Sequence, residues 1–106
     1  MVTIRVGFDG AGLVTGWQVQ GHAGCGDGEY DLVCNSVSVA TQAPLLGLER
    51  YLQRHPAVET DEDAGLLRVT LDGADAQTQA IAMTMVETVR SLAQRYPQYV
   101  RIEELR

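Results

Sequence analysis

His22, Cys25 and Cys34 lie close together in a chain that has two histidines and two cysteines in all. A thiol within reach of an imidazole is a nucleophile with its base, the pair that acyl transfer needs. Two other chemistries compete. The same three side chains could offer soft ligands to zinc, but their spacing is not that of a paired-cysteine site and a fourth ligand has to be supplied from elsewhere. Gly24, Gly26 and Gly28 ahead of a helix could suggest phosphate binding. The repeat is not a P-loop, however, and Asp27, Glu29 and Asp31 would repel the anion, so that reading is rejected.

Taken singly, each residue has a structural reading that usually wins. A cysteine early in a helix is most often a small buried hydrophobe, and a histidine at a strand end is most often a hydrogen-bonded surface residue. Cys25, set among glycines, reads as exposed and incidental. Ser38, one turn after Cys34, either bonds near the nucleophile or bonds back to its own helix. His55 beside Pro56 has no catalytic company.

The elements that would position these residues follow from periodicity. Val2, Ile4, Val6 and Phe8 alternate with polar or small residues, the mark of a strand with one buried face. After the Asp9–Gly10–Ala11–Gly12 turn a second strand runs from Leu13 to Gly21, with Leu13, Thr15, Trp17 and Val19 on one side and Val14, Gly16, Gln18 and Gln20 on the other. Ala23 to Tyr30 is too rich in glycine for a strand or a helix interior and reads as a mobile loop. Asp31 is the expected N-cap of the helix that follows, on which Val37, Thr41, Leu45, Leu48 and Leu52 recur at helical spacing. This places Cys34 third in the helix, where the amides and dipole of the first turn would favour a thiolate and could hold an oxyanion. Asp27 and Glu29 oppose that charge unless they point into water. Pro44 should kink or interrupt the helix, with helix on both sides.

His55–Pro56 ends this region. A second hairpin then turns at Asp61–Glu62–Asp63–Ala64–Gly65, its tip solvated. A second helix from about Asp75 to Tyr96 carries Ile81, Met85, Val89 and Leu92 on one stripe, Pro97 stops it, and Tyr99 to Ile102 forms a short last strand. The order predicts an α+β two-layer sandwich, a mainly antiparallel sheet with two main helices packed on it, in one domain spanning 1–106.

Composition narrows the partners. Fourteen acidic residues against eight basic ones, all arginine, give a net charge of −6, and no cation lies between Arg5 and Arg50. Direct nucleic-acid binding is therefore not expected, and a charged partner should be basic. No apolar run reaches membrane-spanning length and the first residues do not form a signal peptide, so a cytoplasmic protein with two reduced thiols is expected.

Two motifs then narrow the chemistry. Gly21–His22–Ala23, followed by Asp31–Leu32–Val33–Cys34–Asn35–Ser36–Val37–Ser38, resembles the ribosomal-processing cysteine proteases called Prp, whose hallmark is Gly-His-Ala and then Asp-Ile-Val-Cys-Ala-Ala-Val-Ser. The likeness extends to chain length, element order and the glycine-rich loop. It implies His22 as general base and Cys34 as nucleophile, with Asp31 and Ser38 at supporting positions and Gly24, Gly26 and Gly28 in a substrate loop. It also implies a homodimer, no cofactor or metal, and a basic ribosomal precursor as substrate, large-subunit protein L-twenty-seven with its N-terminal extension. Leu32, Asn35 and Ser36 depart from the family pattern, and Cys25 adds a second thiol. The alternative is a non-catalytic dimeric binding protein of ribosome assembly with the same fold.

Overall fold

The computed structural model describes residues 1–21 and 28–106, and of Glu29 and Tyr30 the backbone only. β1 (Val2–Phe8) and β2 (Val14–Gln20) form an antiparallel pair. Their turn is held by the Asp9 carboxylate, which accepts from the amides of Ala11 at 2.9 Å and Leu13 at 3.0 Å. β1 buries Val2, Ile4, Val6 and Phe8 as its alternation requires. β2 departs from strict alternation. Gly7 pairs with Gly16 but Phe8 pairs with Val14, so Thr15 is the extra residue of a β-bulge. The bulge turns Val14 inward with Trp17 and Val19, and corrects the expectation that Val14 lies on the opposite side from them.

The helix after β2 also starts earlier than expected. α1 runs Gly28–Leu46, so Asp31 is its fourth residue and not its N-cap, Cys34 is its seventh and not its third, and Gly28 belongs to the helix and not to the loop. Glycine costs a helix most in the interior and is accepted at its start, so Gly28 does not hold back the first turn. α1 continues through Pro44 to Leu46 and passes into a π-helical segment, Gly47–Tyr51, whose wider spacing appears in the bond from the Leu52 amide to the Gly47 carbonyl at 2.9 Å. Helix thus flanks Pro44 on both sides, and the change in ladder follows directly on the proline that lacks a donor.

β3 (Ala57–Asp61) and β4 (Leu66–Thr70) form the second hairpin, with Asp61 to Ala64 exposed at its turn. α2 (Ala76–Arg95) begins at Asp75, whose carboxylate accepts from the Thr78 amide at 2.9 Å. That bond, and then the contact with the Arg54 guanidinium, hold the Asp75 carboxyl below its usual range. The Gln79 side chain clamps the start of β2, donating to the Val14 carbonyl and accepting from the Val14 amide, each at 2.8 Å. β5 (Val100–Leu105) is longer than the predicted strand and pairs parallel to β1, Val2 opposite Val100.

The sheet order is β3-β4-β2-β1-β5, antiparallel except for the β1–β5 pair. Both helices pack on it to close one core, in which Ile4, Val6, Trp17, Val19 and Val69 from the sheet meet Val37, Leu48, Met85, Val86 and Val89 from the helical layer. The opposite face is polar, with Arg68 donating to Gln18 at 3.1 Å and to Glu59 at 3.0 Å. The architecture is the α+β sandwich expected from the element order.

Candidate active site

β2 leads straight to the first motif. Gly21 ends it with φ of 85°, and a Cβ there would lie 2.8 Å from the Met1 carbonyl oxygen. Both the left-handed backbone and the close approach of β1 require glycine, so the direction in which the chain leaves the sheet toward His22 is fixed by this residue. His22, Gly24, Cys25 and Gly26 lie outside the described residues, as do Asp27 and the side chain of Glu29. The expectations that rest on them, the His22–Cys34 contact and the zinc alternative among them, are not addressed by the structure. Among the described residues no three His, Cys, Asp or Glu side chains cluster as metal ligands would.

The second motif is described from Asp31 onward. Cys34, Val37, Thr41, Leu45 and Leu48 lie on the stripe turned to the sheet, and Cys34 is 5% exposed. Cα–Cβ bonds in a helix tilt toward its N-terminus, so the Cys34 side chain lies over the preceding turn, on the side where residues 22–27 join α1. Asp31 and Ser38, both half-buried, flank it one turn to either side. Position seven changes the electrostatics. The dipole acts chiefly within the first turn, and six residues at about 1.5 Å each put Cys34 roughly 9 Å from Gly28. The helix start therefore offers a thiolate at this position little of the stabilisation expected at position three.

The departures from the motif are turned to solvent, away from the buried Cys34 side chain. Asn35 and Ser36 are exposed, and the Ser36 hydroxyl donates to the Leu32 carbonyl at 3.0 Å. Leu32 itself is 70% exposed, so its exchange for isoleucine leaves the core untouched. Thr41 also turns its hydroxyl onto the helix, donating to the Val37 carbonyl at 2.8 Å. Among the described residues no such bond is made by Ser38, whose side chain is left on the Cys34 side. Thr41 has a further part that periodicity alone did not show, since its carbonyl accepts the Trp17 indole N–H at 3.2 Å and so locks α1 to β2.

A model of the family described as cysteine protease Prp matches residues 1–101, and so spans both motifs and every element from β1 through α2 to the first residues of β5. The chain belongs to the cysteine protease Prp family. Its activity is that of a cysteine protease. A relative from Staphylococcus aureus, the ribosomal processing cysteine protease Prp, is 22% identical over 103 residues, covering 96% of this chain and 97% of its own. Two solved structures share the fold. The S. aureus Prp in complex with a substrate peptide superposes with a TM-score of 0.85 at 19% identity, covering 98% of this chain and 99% of that one. SMU.848 from Streptococcus mutans superposes at 0.92 with 23% identity, covering 99% and 94%. In this Prp-family chain both motif positions, His22 and Cys34, carry the residues of the family hallmark.

Proposed function

We propose that the protein removes the N-terminal extension of a basic large-subunit ribosomal precursor, protein L-twenty-seven, in the cytoplasm, with Cys34 as nucleophile and His22 as general base. The observation that carries this reading is the place of Cys34. It sits on the inner stripe of α1 with its side chain tilted toward the segment that begins at Gly21, in a chain whose family match covers both motifs. The relative's name as a ribosomal processing protease supports the substrate, and the charge of −6 suits a basic one. Among the described residues no helix is long and apolar enough to cross a membrane.

His22 takes the thiol proton, and the thiolate attacks the scissile carbonyl. His22 then returns the proton to the leaving amine, and water hydrolyses the thioester. The amide of a residue seven places into a helix is engaged in the helical ladder, so the oxyanion donors nearest to Cys34 on α1 are the first-turn amides from Gly28. Asp31 and Ser38 act as positioning residues on either side of the thiol. Gly24 and Gly26, which follow His22 in the sequence, are assigned to substrate binding. A peptide spanning the extension junction tests the reading by mass spectrometry. Cleavage at one bond is expected, falling on the order of 10²- to 10⁴-fold in His22→Ala. Undiminished cleavage by that variant would remove His22 from the mechanism.

We infer also that two copies pair through the outer faces of α1 and α2. Val39 is 60% and Leu46 50% exposed there, beside a groove of about 550 Å³ lined by Ala43, Gly47, Ile81 and Thr84. Among the described residues no charged one lines that groove, so two copies of an acidic chain can meet on it without mutual repulsion. Sedimentation equilibrium should give twice the chain mass, reverting to a single mass in Val39→Glu/Leu46→Glu. A monomeric wild type would refute the pairing.

A further inference from the structure

Seven of the eight arginines are engaged, six in ion pairs with carboxylates and Arg95 over the Tyr96 ring. Among the described residues Arg50 has neither kind of partner, and it is exposed. It continues a stripe of α1. Leu32, Val39 and Leu46 recur every seven residues on the side turned away from the sheet and are 70%, 60% and 50% exposed. Arg50 follows Leu46 by four residues, and at a spacing between those of an α- and a π-helix it falls within roughly 40° of the same line. From Leu32 to Leu48 the chain carries no charge, although 21% of all its residues are charged. Asp31 stands before this neutral stretch and Arg50 after it, while Glu49 is turned aside toward Gln42 and Leu45.

A seam that is neutral along its length and opposite in sign at its two ends fits a second copy of itself laid antiparallel. A parallel pair would bring Asp31 to Asp31 and Arg50 to Arg50 and would align the two helix dipoles, and the antiparallel pair avoids both. With the two-fold axis at Val39, Leu32 of one copy meets the partner's Leu46, because each lies seven residues from the axis in opposite directions. Arg50 and Gly28 likewise lie eleven residues to either side, roughly 16 Å at the helical rise. The partner's Arg50 thus comes level with the first turn of α1. We propose that each copy completes the other's active site, Arg50 crossing the α1–α1 seam to pair with Asp31 of the partner subunit, one turn before the nucleophile. There the guanidinium offsets a carboxylate that otherwise opposes the Cys34 thiolate, so Arg50 is a positioning residue that acts through Asp31. The inference rests on the pairing and the protease reading proposed above, and adds which copy supplies which group.

The geometry is tested apart from catalysis. In a Cys25→Ala background Val39→Cys lies on the axis and should give a covalent dimer on a non-reducing gel. Leu32→Cys should not, since its two copies stand about 21 Å apart, whereas a parallel pair would cross-link at both positions. By sedimentation, Arg50→Glu should weaken the dimer about tenfold, two contacts being reversed at once, and Asp31→Arg/Arg50→Glu should restore it. Cleavage of the junction peptide then reads the contact. Arg50→Ala should lower kcat/KM about three- to fivefold, and Arg50→Lys should recover most of it. Mixing Arg50→Ala with Cys34→Ala forms heterodimers in which an intact thiol meets an intact partner arginine, so activity per Cys34 should rise back toward the wild type. No cross-link at Val39→Cys, a cross-link at Leu32→Cys, or mixtures no more active than Arg50→Ala alone would overturn the inference. Cross-linking and charge exchange as described, in a protein that cleaves no peptide, would count instead against the protease reading and leave the pairing of Arg50 with Asp31 standing.

Discussion

Replacing Cys34 by alanine is expected to abolish cleavage of the junction peptide, a fall on the order of 10⁴-fold or more, while Cys25→Ala leaves it nearly intact. The first substitution removes one sulfur from a side chain that is 5% exposed on a helix otherwise held by Val37, Thr41 and Leu48. The fold should therefore survive with a modest loss of stability, which thermal unfolding followed by circular dichroism will show. Cys34→Ser keeps the shape and tests the chemistry alone. A hydroxyl is a far weaker nucleophile than a thiol at neutral pH, so this variant should be nearly as inactive as the alanine one. The seventh position adds a second readout, because the helix dipole has little left to give there and the imidazole must supply the activation. Alkylation of Cys34 by iodoacetamide should consequently slow in His22→Ala, with the fold unchanged. Full activity in Cys34→Ala, or equal loss in Cys25→Ala, would end the assignment.

The dipole's share depends on where α1 starts, and the sequence pattern puts that start three residues late. N-cap preference ranks aspartate above glycine and so put the expected start at Asp31, whereas the helix begins at Gly28, where glycine is tolerated. Elements with long uninterrupted periodicity were legible. β1, the stripe from Val37 to Leu48, and α2 from its Asp75 cap all stand where alternation or helical spacing puts them. The bulge at Thr15 was not legible, because a single extra residue between Val14 and Gly16 leaves composition unchanged while exchanging the faces of the strand. Nor could the parallel pairing of β5 with β1 be read, since Val2 and Val100 meet from opposite ends of the chain through backbone bonds that any residue can make. Site residues divide the same way. Cys34 and Ser38 are visible as a motif, whereas the bond from the Trp17 indole to the Thr41 carbonyl depends on the distance between a helix and a strand.

Trp17→Ala should be among the most damaging substitutions in the core, costing about 3–5 kcal/mol in chemical denaturation. The side chain is 2% exposed, stands opposite Val6 and Val69 in the middle of the sheet, and reaches α1 through its indole N–H. Domains of this size have roughly 5–15 kcal/mol in all, so the loss is a large share of the total. Trp17→Phe separates the two contributions. It keeps most of the apolar contact but removes the donor from the Thr41 carbonyl, a bond worth about 1 kcal/mol net in a buried setting. Thr41 is seven residues from Cys34 on the same stripe, two turns along one rigid helix, so the hydrogen bond also sets the height of the thiol over the sheet. The phenylalanine variant should therefore fold and still lose catalytic efficiency out of proportion to its stability. A Trp17→Ala cost below about 1 kcal/mol, comparable to a surface change, would show that α1 is held on the sheet by other contacts and that the thiol takes its position from them.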